Sequence, residues 1–340
     1  MQILIDSLYI NTSGGRRLLE YLVMELQKRN VDFYFLADAR CYGQFDSCKH
    51  VRYMKASLWE RKKFYEKKAD SFSSVLCFGN IPAPINLKVP VYTYFHNINL
   101  LTLAEAHSLL SKVKSWLKRE VFRHYKKNTD YWLVQTTNTA NELVKNLCEK
   151  EERVKLMPFY ELPDLLCDLA DIPHGDDYVY ISDYYKGAKG HETLLDAWKL
   201  LHNKGIDITL HLTIHERNTE FIAEIEKARD EGVKVINHGF VSFEKVIDLY
   251  KTSKVLIYPS HNESLGLGII EAVTAGCDVI GADLPYLHAI CKPSVVFDPY
   301  SSKSIVDAVI EYEKETSLKT TLLINNRIED MVDLLVSGNE

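Results

Sequence analysis

Short apolar runs alternate with longer stretches of helical periodicity from one end of the chain to the other, and this alternation restricts the fold more than any other feature. The first run, Ile3-Leu4-Ile5, leads into a polar loop, Asn11-Thr12-Ser13-Gly14-Gly15. Leu18, Leu19, Leu22, Val23 and Leu26 then recur at helical spacing. Strand, glycine loop and helix, in that order, open an α/β domain. Further buried-strand candidates follow at 33–36, 75–78, 91–94, 132–134 and 154–157, with helices expected over 101–127 and 139–148. Strands separated by helices cannot pair as hairpins, so the expected sheet is mostly parallel with helices on both faces.

The pattern breaks over 161–177, an acidic stretch holding Pro163, Pro173 and Gly175, which reads as an interdomain linker. A second alternating series begins after it. Strands are expected at 178–181, 208–213, 233–236, 255–258, 279–280 and 295–297. Helices are expected at 191–202, 220–229, 243–252, 267–274 and 303–313. With 340 residues the chain exceeds one ordinary core. The division expected is 1–165, a linker at 166–177, 178–315, and a tail at 316–340 whose helix near 322–335 packs back on the N-terminal domain. The fold class is thus α/β, two doubly wound Rossmann-like domains facing across a cleft, with ligands at the carboxyl edges of the sheets.

Composition excludes several classes of function. Apolar residues make up 46% and charged residues 26%, the balance of a globular protein. The net charge of −6 argues against nucleic acid as a partner. Cys41, Cys48, Cys77, Cys148, Cys167, Cys277 and Cys291 form no CxxC pair, which speaks against zinc knuckles and redox dithiols. Their apolar neighbours suit reduced thiols in a cytoplasmic setting. The opening residues lack the basic and long apolar regions of a signal peptide, and no run reaches the roughly 20 apolar residues of a membrane span. No Asp-x-Asp, GxGxxG, GxSxG or GxxxxGK[ST] occurs, so no metal ligands and no cofactor are expected.

The most informative stretch runs from Tyr258 to Ala272. Glu263 and Glu271 stand eight positions apart across a glycine-containing turn at the start of an apolar helix. Eight positions span roughly 12 Å if helical, comparable to the separation of ribose and sugar ring in a nucleoside diphosphate sugar. Amides near Gly266, Leu267 and Gly268 sit where a helix's positive end meets phosphates. Two glutamates so spaced also occur by chance in many helices. Here, however, the run is otherwise nearly free of charge, and unpaired carboxylates at a buried helix start are expensive without a ligand.

The sequence Glu263-Ser264-Leu265-Gly266-Leu267, continuing to Glu271, resembles the signature of retaining glycosyltransferase family 4 (glycosyl transferases group 1), of GT-B fold. The continuation Ala275-Gly276-Cys277-Asp278-Val279-Ile280-Gly281 resembles that family's small-residue turn and following strand. The resemblance covers most of the C-terminal half and the N-terminal half more loosely. It implies that 1–165 binds acceptor and 178–315 binds a nucleotide-sugar donor. By the same resemblance Glu263 contacts sugar hydroxyls, Glu271 the ribose, and Ser264, Gly266, Leu267 and Gly268 line the donor site.

Three further segments join it. Lys189-Gly190, heading a helix, looks like the family's phosphate-binding lysine, a cation to neutralise the departing diphosphate; the plain alternative is a solvated loop lysine. The family often has an arginine five positions earlier, where this chain has Tyr184. Lys186 is the nearby cation, but an ammonium does not reproduce a guanidinium fork. His96, followed by Asn97 at the carboxyl end of an apolar strand, resembles the family's cleft histidine, which would bond the donor sugar or orient the reacting groups; the plain alternative is a satisfied structural histidine. Gly14 and Gly15 occupy the place of its donor-facing glycine loop, with Arg16 and Arg17 next. His261 reads as a turn residue.

From Lys112 to Lys127 seven basic residues stand against Glu120, interleaved with Val113, Trp116, Leu117, Val121, Phe122 and Tyr125. Such a stretch is either an ordinary surface helix packed on its own domain or a peripheral contact with an anionic membrane. The expected activity is a metal-independent, retaining transfer of a hexose from a nucleotide diphosphate sugar to a glycan or lipid-linked glycan, in surface polysaccharide assembly. His96, Lys189 and Glu263 are its expected catalytic groups. The alternatives are a nucleotide-sugar epimerase of the same fold and a catalytically silent glycan- or nucleotide-binding partner.

Overall fold

The computed structural model describes residues 2–11, 13–101, 120–163, 175–315 and 318–337. Two compact units comprise Met1–Glu161 with Asn325–Glu340, and Leu162–Ile324. Of the segments read from sequence, 102–119, with Lys112–Arg119 of the basic stretch, and 164–174 of the linker lie outside the described residues.

The first unit holds seven parallel strands: β1 (Gln2–Asp6), β2 (Phe33–Asp38), β3 (Val51–Met54), β4 (Phe72–Cys77), β5 (Val91–Phe95), β6 (Tyr131–Val134) and β7 (Val154–Leu156). Their order is β3-β2-β1-β4-β5-β6-β7, so it reverses between β1 and β4. Helices α1 (Ser13–Lys28), α2 (Leu58–Lys68) and α3 (Thr137–Leu147) belong to it, and 120–125 is helical. Leu4, Leu36, Val75, Phe64 and Tyr65 pack in one buried cluster, and Phe95, Phe122, Trp132 and Leu143 in another. The C-terminal helix, Ile328–Ser337, buries Met331, Val332 and Leu335 in this unit, and Ser74 Oγ donates to Leu335 O at 2.9 Å.

Two elements here escape the apolar pattern. Strand β3 is Val-Arg-Tyr-Met at the edge of the sheet, and α2 is mostly charged, turning inward only Arg61, Phe64 and Tyr65. Helix α1 also starts earlier than its leucines indicate. Gly14 and Gly15 lie in its first turn and not in the preceding loop.

The second unit has six parallel strands: β8 (Asp177–Tyr180), β9 (Leu210–Leu212), β10 (Val235–Asn237), β11 (Ser253–Tyr258), β12 (Asp278–Ala282) and β14 (Val295–Phe297), with β13 (Cys291–Lys292) between the last two in sequence. The order is β10-β9-β8-β11-β12-β14, reversing between β8 and β11. Around it lie α4 (His191–Asn203), α5 (Thr219–Asp230), α6 (Phe243–Thr252), α7 (Leu267–Thr274), α8 (Pro285–Ile290) and α9 (Ser302–Lys314). The helix expected from 322 begins instead at Ile328. Thr321–Leu322 forms β15, antiparallel to β13.

Helix starts differ in a way that bears on function. Ser57, Thr136 and Ser301 cap α2, α3 and α9 with side-chain oxygens. Among the described residues helices α4 to α8 have no side-chain cap, and α4 and α7 begin at glycines in the left-handed region, Gly190 (φ +68°) and Gly266 (φ +63°). Both glycines follow strands that flank the reversal of the second sheet.

Candidate functional site

In an open parallel sheet, ligands bind beyond the carboxyl ends of strands where the order reverses. In the second unit that point lies between β8 and β11. The loop after β8 carries Lys189, and the loop after β11 carries Glu263. Lys189 Nζ donates to Glu263 Oε1 at 2.5 Å, so the two motifs, 74 residues apart, form one ion pair. Ser260 Oγ, at 2.8 Å, and Tyr258 Oη, at 3.1 Å, donate to the same oxygen. Ser260 is fully buried, and Tyr286 Oη donates to its carbonyl at 2.6 Å. Among the described residues Glu263 Oε2 receives no hydrogen bond, so half of the carboxylate is engaged and half is open.

The two loops are joined by backbone as well. The His261 N–H donates to Ala188 O at 3.0 Å, and Tyr180 Oη to Lys189 O at 2.9 Å. A Cβ on Gly190 would lie 2.4 Å from Pro259 O, so only glycine permits this approach. Glu263 precedes the start of α7 by a single turn, and Glu271 lies one turn inside it, only 5% exposed. The Ile269 N–H bonds back to Gly266 O at 2.9 Å, leaving the Leu267 and Gly268 N–H groups without an intrahelical acceptor. Position 268 is roomy. A Cβ there would meet only Tyr258 Cε2 at 3.8 Å and Ile181 O at 3.9 Å. A cation, a carboxylate and an uncapped helix start thus converge on one sheet edge, an arrangement suited to a polyhydroxylated phosphate ester.

Glu263 departs from the sequence expectation in one respect: one of its oxygens is already taken by Lys189, Ser260 and Tyr258. Tyr184 supplies no positive charge. Its ring stacks on Phe221 at 4.4 Å, and its hydroxyl donates to Glu192 Oε1 at 2.8 Å. Burial and Glu192 push that hydroxyl well above its ordinary value. Lys186 is exposed and bonded to nothing among the described residues. A second cation, passed over in the sequence, is Arg217 after β9, which pairs with Asp183 beside Tyr184. Ser264 lies in the loop leading to Gly266. His191, in the first turn of α4, is buried, and burial lowers its pKa to about 4.

His96 lies in the first unit, just beyond β5. Burial lowers its pKa to about 4, so its imidazole is neutral at physiological pH. Asn80, beyond β4, bonds both its backbone N–H and its ring. A Cβ on Gly15 would lie 3.1 Å from His96 Nε2, placing Gly15 against this ring. Among the described residues, His96 Nδ1, Tyr9 Oη and Gln135 Nε2 are buried without hydrogen-bond partners. These three groups follow β5, β1 and β6, and burial raises the Tyr9 hydroxyl to about 12. Tyr9, Asn80 and Gln135 were missed in the sequence, where only strand-end position marks them. Arg16 pairs with Glu20 at 2.8 Å along α1. Among the described residues no three His, Cys, Asp or Glu side chains are placed to share a metal ion, and no helix is long and apolar enough to cross a membrane.

Residues 170–328 match the family model for glycosyl transferases group 1. No curated protein is a significant sequence match. Solved structures match along nearly the whole chain. Sucrose-phosphate synthase from Thermosynechococcus elongatus is similar at a TM-score of 0.69 and 14% identity, covering 99% of this chain and 94% of that one. Anabaena HepE in complex with UDP and glucose is similar at 0.65 and 14%, covering 99% and 96%. UDP-GlcNAc 2-epimerase from Methanocaldococcus jannaschii has the lower TM-score of 0.61 at 13% identity, covering 99% and 100%. The chain therefore has two parallel-sheet Rossmann-like domains of the GT-B glycosyltransferase fold and, over residues 170–328, the sequence pattern of glycosyl transferases group 1.

Proposed function

We propose that this protein is a glycosyltransferase that moves a hexose from a nucleotide diphosphate sugar to a hydroxyl of a glycan or lipid-linked glycan, with retention of configuration and without a metal ion. The observation that carries the reading is the Lys189–Glu263 pair beside the uncapped start of α7, at the sheet reversal of the matched unit. HepE, whose structure contains UDP and glucose, supports the donor class.

In this reading the diphosphate lies along the Leu267 and Gly268 amides, and Lys189 meets the charge that grows on the leaving phosphate. Glu263 offers its open oxygen to sugar hydroxyls while Lys189, Ser260 and Tyr258 hold the other. Glu271 accepts from the ribose. The bond from the anomeric carbon to the phosphate oxygen breaks, and a bond from that carbon to the acceptor oxygen forms on the same face. The acceptor's proton passes to the departing phosphate oxygen. No carboxylate acts as a nucleophile.

Kinetics of two variants test the assignment. Lys189→Ala is expected to lower kcat by about 10²-fold or more, the usual cost of removing one stabilising donor from a transition state. Glu271→Ala is expected to weaken donor binding by about tenfold or more, the loss of hydrogen bonds to a charged group. Near-normal kinetics in both variants would refute the assignment. Incubation with donor alone separates transfer from epimerisation, which needs no acceptor. A protein that turns over no donor under any condition would be a binding partner.

A further inference from the structure

We propose that Asn80 is a positioning residue that holds His96 in one neutral tautomer, its hydrogen on Nδ1 and offered to an acceptor oxygen of the ligand. Asn80 sits three residues beyond β4, at the reversal of the first sheet, 5% exposed and with φ +65°. Asparagine is one of the few residues that tolerate this left-handed backbone.

The orientation of its amide follows from donor and acceptor chemistry. One side-chain atom lies 2.8 Å from the His96 backbone nitrogen. A backbone N–H only donates, so that atom is the oxygen. The amide nitrogen therefore lies at the other contact, 3.3 Å from His96 Nε2. An amide NH2 only donates, so Nε2 must accept. A neutral imidazole that accepts at Nε2 carries its hydrogen on Nδ1. Protonating both nitrogens would set two donors against each other in a buried place, in accord with the pKa of about 4.

Asn80 cannot easily move aside. The Arg61 guanidinium, itself buried, donates to Ile81 O at 2.9 Å and Pro82 O at 2.8 Å, and its Nε donates to Asp6 Oδ2 at 2.7 Å. On the other side, a Cβ on Gly79 would lie 2.0 Å from Leu8 O, so this loop packs backbone to backbone against the turn after β1. Nδ1 meanwhile is buried with no partner among the described residues. It is a donor directed at an oxygen that the described residues do not supply, such as a hydroxyl or phosphoryl oxygen of a ligand. With Nε2 occupied and Nδ1 already protonated, His96 is a hydrogen-bond donor and not a base. That the oxygen belongs to a sugar nucleotide or acceptor rests on the proposed function; the tautomer does not.

Long-range proton–nitrogen NMR of the full-length protein at pH 7 tests the tautomer directly. His96 is expected to show a pyrrole-type Nδ1 and a pyridine-type Nε2. Asn80→Asp keeps the acceptor for the backbone N–H but turns a carboxylate oxygen toward Nε2. The two nitrogen types should then exchange and the His96 pKa should rise. Asn80→Gly keeps the left-handed backbone and removes the amide, so both tautomers should populate. A hydrogen on Nε2 in the unaltered protein, or an Nδ1–H state unchanged in both folded variants, overturns the proposal. The expected tautomer in a protein that transfers no sugar would support this inference and count against the proposed activity alone.

Discussion

Gly190 shows how one atom's worth of space ties two segments together. Its φ of +68° disfavours any side chain, and a Cβ there would lie 2.4 Å from Pro259 O. Gly190→Ala is therefore expected to cost about 2–4 kcal/mol, strain and overpacking together, read as a lower denaturant midpoint at unchanged m. Its neighbour His191 sets a pH dependence. The folded imidazole resists protonation down to about 4, whereas an ordinary histidine protonates near 6.5. Between those values the unfolded chain binds more protons, so stability falls as pH drops from about 6.5 to about 4, by on the order of 3 kcal/mol. The stability of His191→Gln, followed by denaturation across that range, should lose this part of the slope. An identical slope in both proteins would contradict it.

Helices in the second unit separate into those that close their own ends and those that leave them open. Ser301 Oγ accepts from the Ser304 N–H at 3.2 Å at the start of α9, and Ser301→Ala is expected to cost about 1 kcal/mol in thermal or chemical unfolding. Among the described residues α7 has no such cap, and its Leu267 and Gly268 amides have no intrahelical acceptor. Most elements were legible because buried strands are short continuous apolar runs and helices repeat their apolar residues with period 3.6; the bounds of α6, α7 and β14 agree with the reading from sequence. Strand β3 and helix α2 were not, since an edge strand and a largely exposed helix need little apolar content. Gly14 and Gly15 misled for the opposite reason: glycine favours turns, but both lie in the first turn of α1, where Gly15 stands against the His96 ring. The basic stretch illustrates a different limit, because charge pattern alone does not distinguish a helix on its own domain from one on a lipid surface.

For the molecule as a whole, the proposed donor should act as a stabilising ligand. A nucleotide diphosphate sugar present at 100 times its Kd would add about 2.7 kcal/mol, a shift of several degrees in Tm for units of this size. Screening UDP-, GDP-, ADP- and TDP-sugars should single out one base, with the shift and the transfer rate unchanged by EDTA; rescue of activity by magnesium after chelation would contradict the metal-free scheme. Alternating periodicity was enough to specify two successive parallel α/β series, because backbone geometry ties each period to one kind of element. The spacing from Glu263 to Glu271 and the Lys189-Gly190 pair marked where charge gathers. What tertiary structure alone decided is who meets whom. Sheet order put Lys189 on Glu263 across 74 residues and Asn80 on His96 across 16. Such meetings depend on which strands become neighbours and on the absence of a Cβ at Gly190, Gly79 and Gly15. Neither is written in any local run of residues.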